Sequence, residues 1–268
     1  MTVVQSSKSG NMKLVMGAVA IIVAVALTGA YFVWKQKVHR AQRDECAHSL
    51  WHLGVTLTLL DDAAGSDPKL WVDDIRDPSG KPLLSWRVKV LPYLEEETLY
   101  RQFNLSETWD SEHNKALVSK MPKVFRGMNR DDEQQSSTTF QRITGSKTLF
   151  PQAMQAVFDG KKIPDGPEST ILLIEGAKAI PWTQPGDLSF DGEKTPAISH
   201  AHQDGVLAVF VDGTVRTIPP ATDDKTLRAL ITPKGGEKVS LDSFPVNEAA
   251  LGFKQGMERF MKSLGQPK

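Results

Sequence analysis

From Leu14 to Trp34 the chain reads LVMGAVAIIVAVALTGAYFVW, 21 residues without a charged side chain. No other feature limits the fold as much. A helix rising about 1.5 Å per residue crosses the roughly 30 Å hydrocarbon core of a bilayer with about 20 residues, and it satisfies its own backbone polar groups there. Tyr31 and Trp34 close the segment, where amphipathic rings favour the headgroup level. Lys8 and Lys13 precede it; Lys35, Lys37, Arg40 and Arg43 follow it. The competing reading is a cleaved signal peptide, with Thr28-Gly29-Ala30 as a poor cleavage site. The apolar run continues past that site, which favours a single-pass anchor with ends at Leu14 and Trp34, preceded by a flexible segment 1–13. Four cationic residues after the span against two before it place the remainder in the cytoplasm by the positive-inside rule, a rule that is weakest for long translocated domains.

Beyond the anchor, Cys46, Leu50, Leu53, Leu57 and Leu60 recur at helical steps, one apolar stripe of an amphipathic stalk helix over 35–62 with Gly54 as a soft spot. Asp61-Asp62-Ala63-Ala64-Gly65-Ser66-Asp67-Pro68 ends it. The stripe predicts packing onto a globular domain over 63–240. Residues 66–130 read as short helices and loops. Glu95-Glu96-Glu97 suits the first turn of a helix carrying Leu99, Tyr100 and Phe103, Asp110 suits the N-cap of another, and Asn129–Thr138 reads as a loop. From about 138 the texture is β. Ser169–Ile174 reads as a central strand, and Val206–Val211 and Thr214–Ile218 flank Asp212-Gly213, the turn chemistry of a two-residue type I′ hairpin with Val211 facing Thr214 and Phe210 facing Val215. Thr222-Asp223 caps a helix bearing Leu227, Leu230 and Ile231, and 241–268 closes the chain with an amphipathic helix. The fold class is α+β: a long N-terminal transmembrane helix whose amphipathic extension packs on an antiparallel β-sheet, with additional C-terminal helices.

Composition removes several classes. Lys+Arg and Asp+Glu both number 32, without the basic excess of a nucleic-acid binder. A single cysteine, Cys46, excludes an intramolecular disulfide, a Cys-based zinc site and a CxxC redox pair.

Several blocks in order resemble a planctomycete family of pilin-like proteins of unknown function. They are Ser85-Trp86-Arg87-Val88, Leu91-Pro92-Tyr93-Leu94-Glu95, Leu99-Tyr100, Trp109-Asp110-Ser111, Asn114-Lys115 and Met121-Pro122, then Thr170-Ile171-Leu172, Glu175, and Pro181-Trp182-Thr183 with Pro185 and Asp187. The family's signature, a histidine followed by nine residues and Asp-Gly, is met by His202 and Asp212-Gly213. The match spans roughly 80–237. Relatives are similar to type IV pilins and type II secretion pseudopilins, which implies a membrane-embedded N-terminal helix, a sheet packed on its outer half, and export of the domain. One departure stands out. The resemblance implies a prepilin peptidase site with a Glu at the fifth mature position, but Gly10 is followed by Asn11-Met12-Lys13, the fifth residue is Val15, and no acidic residue precedes Asp44. The expectation is a pilin-like domain without the family's assembly code.

Candidate chemistry is sparse. His48 and His52 share a helix face at i, i+4 but lack a third ligand, and they read as packing or surface histidines. His200 and His202 alternate; a metal or catalytic pair is the lesser reading, and His202 is expected to orient the chain entering the hairpin through backbone or a carboxylate. Glu175, ending an apolar strand, is expected to pair with an arginine such as Arg87. No Gly-x-Ser-x-Gly elbow, P-loop, dinucleotide fingerprint or HExxH occurs. Asp-Gly pairs at 159, 165, 191, 204 and 212 are turns first, with calcium in a loop, as in some pseudopilins, a minor reading. Trp71, Trp86, Trp109 and Trp182 read as core. No catalytic, cofactor or metal residue is assigned. The motif residues Trp86, Arg87, Pro92, Tyr93, Trp109, Asp110, Glu175, Trp182, His202, Asp212 and Gly213 are taken as structural. Two functions remain open: a non-enzymatic, membrane-anchored pilin-like protein, a minor component of a pilus or secretion-type assembly, and an anchored extracytoplasmic binding or scaffold module that does not polymerise. The expected partners are the lipid bilayer and other pilin-like or envelope proteins, with no nucleic acid.

Overall fold

The computed structural model describes residues 7–64, 73–127, 136–151, 163–199, 202 and 204–264, with only the backbone described over 7–15, 61–64 and 257–264. Trp71, His200, the Asp159-Gly160 pair and most of the expected 129–138 loop lie outside these residues. The chain forms two compact units, Met1–Arg43 and Asp44–Lys268. Helix α1 runs Ser7–Ala64, so Ser7–Lys13, expected as part of a flexible N-terminus, are helical. In the first unit α1 is exposed from Met16 to Trp34, with Ile21, Ile22, Leu27 and Phe32 among its bare apolar side chains. This helix is long and apolar enough to cross a membrane.

The second unit is α+β. Strands β1 (Ile75–Arg76) and β2 (Pro82–Leu84) pair with each other, and the short helices α2 (Trp86–Lys89), α3 (Glu97–Tyr100) and α4 (Glu112–Lys115) follow. Ser111, not Asp110, caps α4, because its hydroxyl reaches the Asn114 N–H at 3.2 Å. Then come β3 (Ser137–Gln141), β4 (Ile143–Thr144), β5 (Ile171–Pro181), β6 (Leu188–Ser189), β7 (Val206–Phe210) and β8 (Val215–Ile218). The main sheet is antiparallel in the order β3-β5-β7-β8; β4 and β6 form a separate parallel pair. Helices α5 (Asp224–Ile231, capped by Asp223) and α6 (Glu248–Leu264) close the chain.

Two apolar clusters cover the two faces of this sheet. Leu207, Val209 and Val211 join the stripe Cys46, Leu50, Leu53, Leu57 and Leu60 of α1, all 7 % exposed or less; Val206, Ala208 and Phe210 join Leu227, Leu230 and Ile231 of α5. The period of two along β7 thus decides which helix each side chain meets. Gly54 is a contact, not a weakness. A Cβ there would lie 2.7 Å from Cγ2 of Val209, so the missing side chain lets α1 settle on β7.

The hairpin differs from expectation by one residue. Val209 faces Val215, the Phe210 N–H bonds the Thr214 carbonyl at 2.9 Å, and the Gly213 N–H bonds the Phe210 carbonyl at 2.9 Å. The loop is Val211-Asp212-Gly213, a type I turn with a left-handed glycine, and not a two-residue type I′ turn. Type I′ needs positive φ at both Asp212 and Gly213, yet only Gly213 has it, at 76°. The Asp212 carboxylate instead accepts from the Thr214 N–H at 2.8 Å and the Thr214 hydroxyl at 2.6 Å, which fixes the three-residue loop.

Candidate functional site

The signature histidine leads to the first cluster. Glu175 lies on β5 between two register shifts, one against β7 between Ile171 and Leu173 and one against β3 between Thr138 and Phe140. Bulges of this kind bend a strand and re-aim its side chains. The Glu175 carboxylate meets His202 Nε2 at 3.0 Å and accepts from the Leu207 N–H at 3.1 Å. Cys46 of α1 completes the cluster: one ligand-type atom from each of Cys46, Glu175 and His202 lies within 4.8 Å of the others. All three residues are buried, at 1 %, 1 % and 4 % exposure.

The spacing of the signature acquires a physical meaning here. His202 ties the entry of β7 to β5, and Asp212-Gly213 turns the chain at its exit, where Lys254 of α6 donates to the Asp212 carbonyl at 2.8 Å. Between these pins lies β7, buried on both faces. A one-residue change in the interval would exchange its two faces.

The second cluster replaces the expected Glu175–Arg87 pair. Arg87 bonds Asp187 at 2.8 Å, so the partner of Glu175 is His202. Asp187 also takes Arg142 Nε at 2.8 Å, the Arg142 N–H at 3.2 Å and Trp86 Nε1 at 3.1 Å. Arg87 further donates to the Phe140 carbonyl at 2.5 Å and to the Ser85 hydroxyl at 2.9 Å. Both guanidiniums stack on Trp86, 4.7 and 5.3 Å from its ring centre. Arg142 extends to Asp74 at 3.4 Å. This network floors a cavity of about 290 Å³ lined by Asp73, Asp74, Arg76, Arg142, Phe150 and Asp187, among others.

Burial, more than the opposing Arg142 charge, raises the Asp74 carboxyl above its ordinary value. The folded state holds the Asp74 proton more tightly than the unfolded chain, so this stabilisation is complete below the unfolded pKa and is lost as pH rises through the folded one. Asp74→Asn keeps an acceptor for the Trp86 N–H, now bonded at 2.9 Å. The variant is expected to gain stability relative to the parent as pH rises from acid to neutral, measured as the difference between urea unfolding midpoints. A difference that stays flat with pH would remove this account.

The remaining motif residues are placed as follows. Trp86 and Trp182 are fully buried, and Trp182 stacks on Phe125 at 5.6 Å and donates to the Val118 carbonyl at 2.8 Å. Trp109, expected as core, is half-buried and borders a surface groove with Asp110, Lys81 and Pro185. Pro92 opens the 3₁₀ turn Leu91–Leu94, and Tyr93 on it is 51 % exposed. His48 packs on Phe253 of α6 with ring centres 4.2 Å apart, while His48 and His52 are 6.3 Å apart ring to ring. Three Asp-Gly carboxylates serve backbone amides: Asp165 those of Gly235 and Gly236, Asp191 those of Glu193 and Lys194, and Asp212 that of Thr214. Sequence reasoning missed Cys46, Asp74 and Arg142 as site residues. Asp187 stood among the resemblance blocks without a role.

A family model described as Protein of unknown function (DUF1559) matches residues 40–170, just under half of the chain. The matched span carries Cys46, Trp86, Arg87 and Arg142 and ends before Glu175 and His202. No curated protein and no solved structure matches the chain.

Proposed function

We propose that the chain is a non-enzymatic, membrane-anchored, pilin-like protein of the cell envelope, with its globular unit outside the cytoplasmic membrane, serving as a minor component of a pilus or secretion-type assembly. One observation carries the reading. A single helix is bare and apolar over Met16–Trp34 and then, from Cys46 to Leu60, buries a stripe on an antiparallel sheet. An apolar surface of that length is stable in lipid and costly in water. The non-enzymatic part is supported by the chemistry: Cys46, Glu175 and His202 are enclosed in the core, where a substrate does not reach them. The bilayer and other envelope proteins are the partners this reading names.

A second reading, an anchored scaffold module that does not polymerise, is favoured by the lack of any acidic residue before Asp44. Pilin assembly is thought to use an intramembrane carboxylate, and such a group in lipid is retained only for a function.

The test is a pair of reporters fused after Lys268. Alkaline phosphatase, active only outside the cytoplasm, is expected to be active, and green fluorescent protein is expected to stay dark. The chain is expected in the carbonate-resistant membrane fraction. The opposite reporter pattern, or a chain released by carbonate, would overturn the proposal. Intact mass separates the two readings: a chain cut after Gly10 favours assembly, and an uncut chain favours the permanent scaffold.

A further inference from the structure

We propose that Cys46, Glu175 and His202 bind one divalent transition-metal ion of the zinc class. The site does not depend on the membrane reading. Its side chains come from α1, β5 and the segment entering β7, and their ligand atoms lie within 4.8 Å of one another. Zinc bonds of about 2.0–2.3 Å in tetrahedral geometry hold ligand atoms about 3.4–3.6 Å apart. His202 Nε2 and Glu175 Oε2, now 3.0 Å apart, open by about half an ångström to admit the ion. Cys46 closes by at most about 1.2 Å, within the reach of side-chain rotation.

Charge and softness select the ion. The three residues are at most 4 % exposed, so a net charge among them is costly. A dication with one thiolate, one carboxylate and one neutral imidazole is neutral as a unit. A thiolate with an imidazole suits zinc or cobalt, whereas calcium and magnesium take oxygen sets. The surroundings also orient the ligands. The Leu207 N–H holds the Glu175 carboxylate at 3.1 Å, and Ala47 and Leu50, both fully buried, fix the turn of α1 that presents Cys46. This is a mixed set with one sulfur, distinct from the Cys-based site that a single cysteine excludes. Bound, the ion ties α1 to β5 and to the entry of β7. Three protein ligands leave the fourth tetrahedral position of the ion open.

The experiment uses the full-length chain in detergent, reduced and stripped with chelator, and titrated with Co²⁺. The expected result is a near-ultraviolet thiolate-to-cobalt charge-transfer band that saturates at one equivalent and is displaced by Zn²⁺. Cys46 is the only cysteine, so the band reports this site and is silent to the His48/His52 pair. Cys46→Ser abolishes the band, and His202→Ala weakens binding at least about tenfold. Zinc raises the Tm of the parent but not of Cys46→Ser, whose metal-free unfolding midpoint serves as the folding control. Absence of the band with a Tm unmoved by zinc would reduce the cluster to a buried histidine–glutamate pair and overturn the proposal. Cobalt binding that survives Cys46→Ser would do the same, by assigning the ion to other histidines. If Cys46→Ser does not fold, the presence or absence of the band in the parent still decides.

Discussion

Asp187→Ala is expected to destabilise the globular unit by about 3–5 kcal/mol, a large share of the roughly 5–15 kcal/mol that holds a domain folded. One carboxylate, with a side chain at 0 % exposure, receives Arg87, Arg142 and Trp86. Arg87 is equally enclosed, and its burial lowers its pKa even with Asp187 in place. Removing the carboxylate leaves two guanidiniums stacked on one tryptophan, with Asp74 and Asp73 bound to Arg142. Most of the loss is therefore the cost of stranded charge, not the net worth of the ion pair. That distinction has its own readout. Replacing Asp187, Arg87 and Arg142 together by Leu, Met and Met, with Asp74 replaced by Asn, removes the enclosed charges at once and is expected to leave stability near the parent value or above it. Equilibrium unfolding of the full chain, followed by the emission of buried Trp86 and Trp182, measures both. A loss below about 1 kcal/mol for Asp187→Ala would place the network among weak surface pairs.

Local patterns were legible and distant partners were not. The stripe from Cys46 to Leu60 could be read from its spacing alone, because a helix lying on a sheet must repeat its apolar side chains at 3.6 residues. The central position of β5, the β7–β8 hairpin and the Asp223 cap were readable for the same reason: each rests on neighbours in sequence. The hairpin register was off by one because Asp-Gly suits two turns, and the choice is made by the Thr214 hydroxyl, which gives Asp212 a partner. Gly54 looked like a flaw in a helix until Val209 supplied the reason for its missing side chain. Arg87 and Asp187 are held together only by the folded chain, and no spacing announces such a pair. Cys46 carried two meanings at once. Its place in the stripe explained it fully as packing, which hid its approach to Glu175 and His202.

Glu175→Ala, measured in metal-free protein, is expected to cost about 3–5 kcal/mol, as removal of one partner from a buried pair does. Two groups lose their acceptor: His202 Nε2, now 3.0 Å away, and the Leu207 N–H, now 3.1 Å away. The second loss matters because Leu207 is in β7, so the damage extends from the pair to the strand. His202→Ala alone is expected to cost less, since Glu175 keeps the Leu207 bond. The double variant should fall short of the sum by about 0.5–3 kcal/mol, the coupling typical of residues in direct contact. A coupling near zero would mean that His202 does not pin β7, and the physical reading of the nine-residue spacing would fail with it. The same cycle bears on catalysis. An enzyme using these groups would lose turnover in variants that still fold, whereas a structural pair loses stability first. The deep burial of Cys46, Glu175 and His202 favours the second outcome.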